Sequence, residues 1–406
     1  MTAAVSTTDR LHGLDALRGF ALLLGVVLHG AMAYAPTPMW FINDSQGSPV
    51  ASGAFFVIHL FRMTTFFLIA GLFAHMLLHR RGWKGFALDR LKRIAGPLFG
   101  LWWVVFPAIV AAIIWSAWVQ NGGAFPEDAP PPPPLTLQTF PLTHLWFLWM
   151  LLVLYAATLL LRLPFALLDR NGAWGGILDR ITGALLTGPF APLVLAAPLA
   201  LALYLTPGWV PFFGIPTPDT GFVPNAAALT GFGAAFGFGF LLDRRRDLLA
   251  RIAGMWAPFT IMALGTGAGA MMLSGGPVPS WTPVEEGAAK AFAACVYALA
   301  VFTSTFAVTA LALRFLSGVS AIRRYVADAS YWIYIIHLPL VMAAQVLLLN
   351  LDLPWWAKLV ILTAGVTAIG LLTYALLVRH TVLGTGLNGR RIPWRRPAPG
   401  PADQPA

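Results

Sequence analysis

The stretch that decides how this chain is read is LDALRGFALLLGVVLHGAMAY, Leu14 to Tyr34. It is about 20 residues long and almost wholly apolar, enough to carry a helix across a ~30 Å hydrocarbon core. It nevertheless contains Asp15, Arg18 and His29. Ionisable groups inside a bilayer are costly and are usually paired or functional. Apolar runs of similar length recur through all 406 residues, of which 58% are hydrophobic and 10% charged, with a mean hydropathy of +0.74. A soluble chain averages about 25% charged. The composition therefore excludes a soluble globular domain and a disordered chain. The alternating ten-residue segments of an outer-membrane barrel are also missing. The pattern predicts an all-α, polytopic membrane protein of about ten transmembrane helices. They lie near 14–35, 53–78, 95–119, 142–162, 189–206, 226–242, 252–273, 286–314, 328–350 and 355–378, the fifth and sixth being short and rich in Pro and Gly.

Charge orients these spans. Lys and Arg collect in the short cytoplasmic loops of membrane proteins. With the N-terminus in the cytoplasm, 23 of the 26 Lys and Arg fall in cytoplasmic segments; Lys290 and Lys358 lie outside and Arg62 inside a span. Asp44, Glu127, Asp128, Asp219, Glu285, Glu286 and Asp352 then face the exterior, and both termini are cytoplasmic. The net charge of +10 is mainly a topology signal, and no nucleic-acid partner is expected. The chain divides into an N-terminal tail 1–12, a membrane domain 13–380 and a basic, disordered cytosolic tail 381–406 with Pro-rich composition. Arg10, Arg18, the apolar run 19–28 and Ala31-Met32-Ala33 imitate a cleavable signal peptide. Asp15 and His29 inside the run, and its continuation to Tyr34, favour a retained span. Cys295 stands alone, so no intrachain disulfide is possible, and its apolar setting suggests a small buried hydrophobe. Trp40, Trp118, Trp209, Trp281, Trp355 and Trp356 sit near external span ends and read as an aromatic belt, with stacking on sugar rings as the other use.

The few ionisable groups in the spans are informative because they are few. Arg18 and His29 are 11 residues apart, so they share a helix face, with His29 about 16 Å further in. Asp15 lies on the same face. His59 and Arg62 are one turn apart on the second span, with Arg62 about 14 Å from its outer end. His337 is about mid-depth on the ninth span. Two histidines and an arginine at one depth imply a polar cavity. The bland alternatives are a structural ion pair for Arg62 and an interhelical hydrogen bond for His29. His144 begins the fourth span at the external face, and His75 and His79 approach the cytosolic end as solvated residues. Arg80, Arg81, Lys84, Arg90, Lys92 and Arg93 form the densest basic patch. It suits either anionic lipid or the phosphates of a ligand. No metal is expected, since the histidines are scattered without carboxylates at ligand spacing.

These blocks resemble the acyltransferase-3 family of integral membrane acyltransferases. The first-span pattern is an Arg, ten intervening residues and a His, here Arg18 and His29. IHLFRMTTFFLIAGLFAHML with DRLKRIAGP, HLWFLWMLLVLY, and ASYWIYIIHLPLV are similar to further blocks, in the same order. The combination is most similar to the glucan biosynthesis protein C branch, whose members succinylate osmoregulated periplasmic glucans. The resemblance implies transfer of an acyl group from cytosolic acyl-CoA, succinyl-CoA or acetyl-CoA, to hydroxyls of a periplasmic glucan or other polysaccharide. No cofactor is expected to be permanently bound. It maps the family's histidine onto His29, its arginines onto Arg18 and Arg62, and its late aromatic block onto Tyr331, Tyr334, His337 and Pro339. The middle spans, 163–325, carry no such match.

On that basis His29 serves as general base, because imidazole titrates near neutrality. Arg62 stabilises the oxyanion or pairs with a donor carboxylate, and His337 is a second proton carrier or a hydrogen-bond donor. Asp15, Arg18 and the 80–93 cluster hold the donor. His144, Trp146, Tyr34 and Trp40 meet the acceptor. A covalent acyl-histidine route remains open. The other readings are an O-acetyltransferase for another surface polysaccharide or glycolipid, or a glucan or lipid transporter. Transporters commonly show internal repeats and broken helices, and none is evident. Arg outnumbers Lys 22 to 4, which suits a bacterial proteome and an inner-membrane, multi-pass protein in contact with lipid.

Overall fold

The computed structural model describes residues 12–125, 131, 133–169, 173–186 and 188–389. Arg10, Glu127, Asp128, Arg170, most of the N-terminal tail and the basic residues from 390 onward lie outside the described residues. The described chain is helical: α1 (His12–Met32), α2 (Pro49–Arg90), α3 (Gly96–Gln120), α4 (Trp146–Leu168), α5 (Ala173–Leu185), α6 (Ala191–Tyr204), α7 (Ala226–Arg244), α8 (Leu248–Gly254), α9 (Trp256–Leu273), α10 (Ala288–Phe315), α11 (Ala321–Leu348), α12 (Trp355–Thr373) and α13 (Val382–Asn388). A helix occupies each of the ten apolar stretches. Among the described residues, eight helical runs are long and apolar enough to cross a membrane by length and composition, which makes this a multi-pass membrane protein.

One of those runs, 49–120, is 72 residues long. It joins α2 to α3 through a π-helical turn at Leu91–Ala95. Inside α2, Gly82 has φ 67° and ψ 177°, which breaks the helix. A side chain would strain that left-handed backbone, and glycine adopts it freely. The break redirects the basic segment after Arg81 and lets α3 start back. The fifth stretch forms the 14-residue α6, about 21 Å at 1.5 Å per residue, with Pro at its start and interior.

The bundle exposes large apolar residues on its outside, Trp103 at 72% and Leu160 at 73% among them. Such exposure is what a lipid-facing surface requires. Cys295 belongs to that outer surface: it is exposed rather than buried, because an apolar run in lipid needs no protein cover. Trp209, read from sequence as a belt residue, is 2% exposed and donates its Nε1–H to Gly214 O at 2.7 Å. The segment after residue 381 opens with helix α13, whose Leu387 is buried in the core with α11 and α12.

Small residues let the inner helices approach closely. A Cβ at Gly71 of α2 would lie 1.9 Å from Phe236 O of α7, and one at Gly239 would lie 1.9 Å from Leu68 O. The two backbones thus meet through a reciprocal glycine pair, the close packing favoured where lipid supplies no hydrophobic drive. Hydroxyls add interhelical bonds: Thr64 with Thr305 at 2.6 Å, and Thr266 with Thr303 at 2.8 Å. Gly71→Ala is expected to destabilise the protein by about 1–3 kcal/mol, the usual range for overpacking. A thermal unfolding midpoint in detergent, unchanged from wild type, would contradict this contact.

The two ends of the bundle differ in charge handling. At one end Arg18, Arg80, Arg90, Arg93 and Arg246 gather; we refer to it as the basic end. At the opposite end Lys358 is 1% exposed and bonds Asp44 Oδ2 at 2.7 Å, and Lys290 bonds Glu286 Oε1 at 2.8 Å. Both lysines expected outside are therefore neutralised by acids of the same loops and ends.

Candidate active site

Helix α1 presents one face, Arg18, Leu22, Gly25 and His29, to the interior, at the i, i+4, i+7 and i+11 spacing of a single stripe. Arg18 bonds Ala327 O of α11 at 3.0 Å, with Asp15 Oδ1 3.7 Å away. Gly25 leaves room for Arg62 of α2: a Cβ there would lie 2.3 Å from Arg62 Nη1 and 3.9 Å from His337 Nε2. The absent side chain is therefore what brings the guanidinium beside α1, one turn below His29. No ion pair to Arg62 occurs among the described residues, and its Nε has no hydrogen-bond partner. The structural ion-pair reading of Arg62 finds no partner there.

Three imidazoles converge beyond Arg62. The rings of His29 and His337 are 5.4 Å apart, and those of His337 and His144 5.1 Å. Carbonyl partners assign the tautomers of two of them, His337 and His144. His337 Nδ1–H donates to Tyr334 O at 2.6 Å, which leaves Nε2 buried and without a partner. His144 Nε2–H donates to Ile335 O at 3.0 Å. His29 Nδ1 is also buried without a partner. A buried polar atom left unbonded is uncommon and calls for an explanation. Here two buried imidazole nitrogens lack any protein hydrogen-bond partner, with the Arg62 guanidinium and His337 Nε2 both beside Gly25. A hydroxyl donating a hydrogen bond would supply what His337 Nε2 lacks.

Neighbouring groups hold this cluster. Gln345 Nε2 donates to His29 O at 2.9 Å and Gly30 O at 3.2 Å, and its Oε1 accepts from Trp40 Nε1 at 3.1 Å. The Trp40 ring lies 5.9 Å from that of His29. Tyr334 O–H donates to His144 O at 2.5 Å, and its own carbonyl fixes His337. Gly25 and Gln345 were not singled out from sequence. A glycine in an apolar run and a glutamine near a span end carry no signal until the opposing helix is known.

His144 stands at the start of α4, as its place in the sequence implies, but is buried. It sits in the short 3-10 turn Thr143–Leu145 and is 7% exposed. Thr143 has φ 51°, the one positive φ outside glycine among the described residues, and this strained turn swings the imidazole inward. His75, read as solvated, instead bonds Asp243 Oδ2 through Nδ1 at 2.7 Å, with its ring against Phe240.

One cavity of about 1700 Å³ links these groups to both ends of the bundle. At the basic end it is lined by Asp15, Arg18, Arg80, Arg90 and Arg93; at the waist by His29, His59, Arg62, His144 and His337; at the opposite end by Trp40, Phe213, Asp219 and Trp281. Of the basic patch, Arg81, Lys84 and Lys92 do not line it. Asp89 gathers this patch: its carboxylate meets Arg81 at 3.0 Å, Arg93 at 3.3 Å, and Arg90. Arg90 also lies over the Tyr155 ring, 5.3 Å from its centre, and Tyr331 O–H bonds Arg93 O at 2.6 Å. Trp146 lines the cavity from within the core, its ring 5.3 Å from Phe232. Tyr34 does not reach the cavity; it is 1% exposed and packs with Ala31 and Ala51.

Comparison with known proteins agrees with this architecture. Residues 11–375 match the family model described as an acyltransferase domain. Glucans biosynthesis protein C of Escherichia coli (strain SMS-3-5 / SECEC) is 33% identical over 90 residues, which cover 22% of this chain and 23% of that protein. The protein of the same name in Salmonella paratyphi B (strain ATCC BAA-1250 / SPB7) is 29% identical over 146 residues, 36% of this chain and 37% of the relative. The chain thus aligns with well under half the length of these relatives. No solved structure matches the chain.

Proposed function

We propose, because the chain belongs to the acyltransferase-3 family, that it moves an acyl group from acyl-CoA on one side of a bacterial inner membrane to a saccharide hydroxyl on the other. The observation that carries this reading is the single cavity joining arginines at one end, unpartnered imidazoles at the waist and an aromatic mouth at the other end. Neither a charged nucleotide nor a glucan crosses a bilayer unaided, so a reaction between them needs a site open to both faces. In this reading the chain crosses ten times, both termini are cytoplasmic, and the basic end is the cytosolic one. Arg90 and Arg93, ordered by Asp89, and Arg80 beside them receive the phosphates of the donor, which guanidinium forks match. Arg18 and Asp15 line the path inward.

The thioester then reaches the waist. His29 takes the proton of the acceptor hydroxyl as its oxygen attacks the thioester carbonyl carbon. Arg62 faces the oxygen on which negative charge develops. That attack forms the new C–O bond; collapse of the tetrahedral intermediate re-forms the carbonyl and breaks the C–S bond, and the leaving CoA sulfur takes the proton back from imidazolium. His337, with Nδ1–H committed to Tyr334 O, has Nε2 free to accept a hydrogen bond in the same space. The similarity to Glucans biosynthesis protein C favours succinyl-CoA as donor and a periplasmic glucan as acceptor. Purified protein given labelled succinyl-CoA or acetyl-CoA with glucan tests the donor: the mass added to the glucan is expected to be succinyl. Absence of any acyl increment with both donors would refute acyl transfer to glucan.

Gly25 provides a sharper internal check. A methyl at this position must displace the Arg62 guanidinium, and misplacing a catalytic group by about 1 Å costs about 10²-fold. Gly25→Ala is expected to keep the wild-type unfolding midpoint and lose about that much kcat. Wild-type turnover in this variant would separate Arg62 from the chemistry.

A further inference from the structure

We infer that the opposite mouth of the cavity is a preformed saccharide site in which Trp281 and Phe213 offer an aromatic face and Asp219 accepts hydroxyl hydrogen bonds. This deepens the acyl-transfer reading and rests on it for the identity of the acceptor. Trp281 and Phe213 have ring centres 4.3 Å apart at 36°. Trp281 is 58% exposed, and both rings line the cavity. Its Nε1–H is 3.3 Å from Pro38 O, which ties it to the loop bearing Trp40. Trp40 in turn abuts the His29 ring. The loop 38–40 thus connects the Trp281–Phe213 pair to Trp40 and the His29 ring.

The polar side of this mouth is equally fixed. The loops 137–143 and 219–222 are joined by Thr143 N–H to Asp219 O at 3.0 Å, Gly221 N–H to Phe140 O at 2.9 Å and Phe222 N–H to Leu137 O at 3.0 Å. Trp149 Nε1–H bonds Phe222 O at 2.8 Å from below. This seam puts the Asp219 carboxylate at the cavity wall, next to the strained Thr143 that aims His144 inward. Thr220 lies beside it, its Oγ1 3.4 Å from Asp219 Oδ1. No lysine or arginine is bonded to Asp219 among the described residues.

A sugar ring has an apolar C–H face and a rim of hydroxyls. Aromatic faces cover the first, and a carboxylate receives the second in charge-assisted hydrogen bonds. A few polar groups among aromatic walls is also the usual make-up of a small-molecule site. Pro38, Asp219 and Trp281, which line this mouth, all lie in loops. A saccharide meets each of these conditions; a lipid chain does not.

The test measures binding without any acyl donor, so its outcome is independent of whether acyl transfer occurs. A fluorescently labelled glucan oligosaccharide is titrated with full-length protein in detergent and read by fluorescence polarisation. Wild type is expected to bind saturably. Trp281→Ala is expected to raise Kd about tenfold, about 1.4 kcal/mol, and Trp281→Phe to restore most of it. Asp219→Ala is expected to weaken binding several-fold. Because Trp281 is largely exposed, its substitution leaves the unfolding midpoint unchanged, which is measured alongside. No binding by wild type, or a Trp281→Ala curve that overlays wild type, would overturn the assignment.

Discussion

His29→Ala is expected to lower acyl transfer by about 10²–10⁴-fold, the range that a positioned general base supplies, with expression, membrane insertion and unfolding midpoint unchanged. The fold should tolerate the loss because His29 faces a cavity: its Nδ1 makes no hydrogen bond that the change would break. In the proposed reading the donor is held by arginines at the far end of the cavity, so KM for acyl-CoA should hold while kcat falls. His337→Ala is expected to reduce kcat as well. If the two imidazoles, 5.4 Å apart, share one proton path, the double variant will be little worse than His29→Ala alone. Such non-additivity marks residues that act as a unit. Transfer within threefold of wild type in His29→Ala would refute a base at this position.

Arg62→Lys carries the second large expectation, a loss of about 10²–10³-fold in kcat, the usual cost of removing an oxyanion donor. Lysine keeps the charge, but its ammonium is a point charge without the planar fork. Arg62 reaches α1 through the gap left by Gly25. The choice of donor separates two roles. If Arg62 meets the oxyanion, turnover falls equally with succinyl-CoA and acetyl-CoA. If it binds the succinyl carboxylate, KM rises for succinyl-CoA alone. Wild-type kinetics with both donors would leave Arg62 outside the reaction.

Much of this was legible in the sequence because charge is scarce in the spans. Arg18, His29, Arg62 and His337 stand out against apolar neighbours, and helix periodicity alone places the first two on one face. The structure brings three of these four together at the waist. Periodicity says nothing of what lies across from a helix, so Gly25, Gln345 and the reciprocal Gly71–Gly239 approach were invisible. Asp89 was hidden for a different reason. Within a basic run it reads as one acid among many cations, and only the kink at Gly82 folds Arg81 back onto it. The burial of His144 at the start of α4 was hidden because a positive φ at the preceding threonine has no sequence signature. Trp209, Tyr34 and Cys295 show the converse error. An aromatic or small residue near a span end can face lipid, core or water, and composition does not distinguish them.

The most direct test of the account is a sided transfer assay in sealed vesicles containing the purified protein in known orientation. Labelled acyl-CoA is supplied to the face bearing Arg80, Arg90 and Arg93, and glucan to the face bearing Trp40 and Trp281. The account predicts label on the glucan across the membrane, no label when the two substrates are exchanged, and none with His29→Ala. Transfer only when both substrates share a face, or transfer independent of His29, would contradict it.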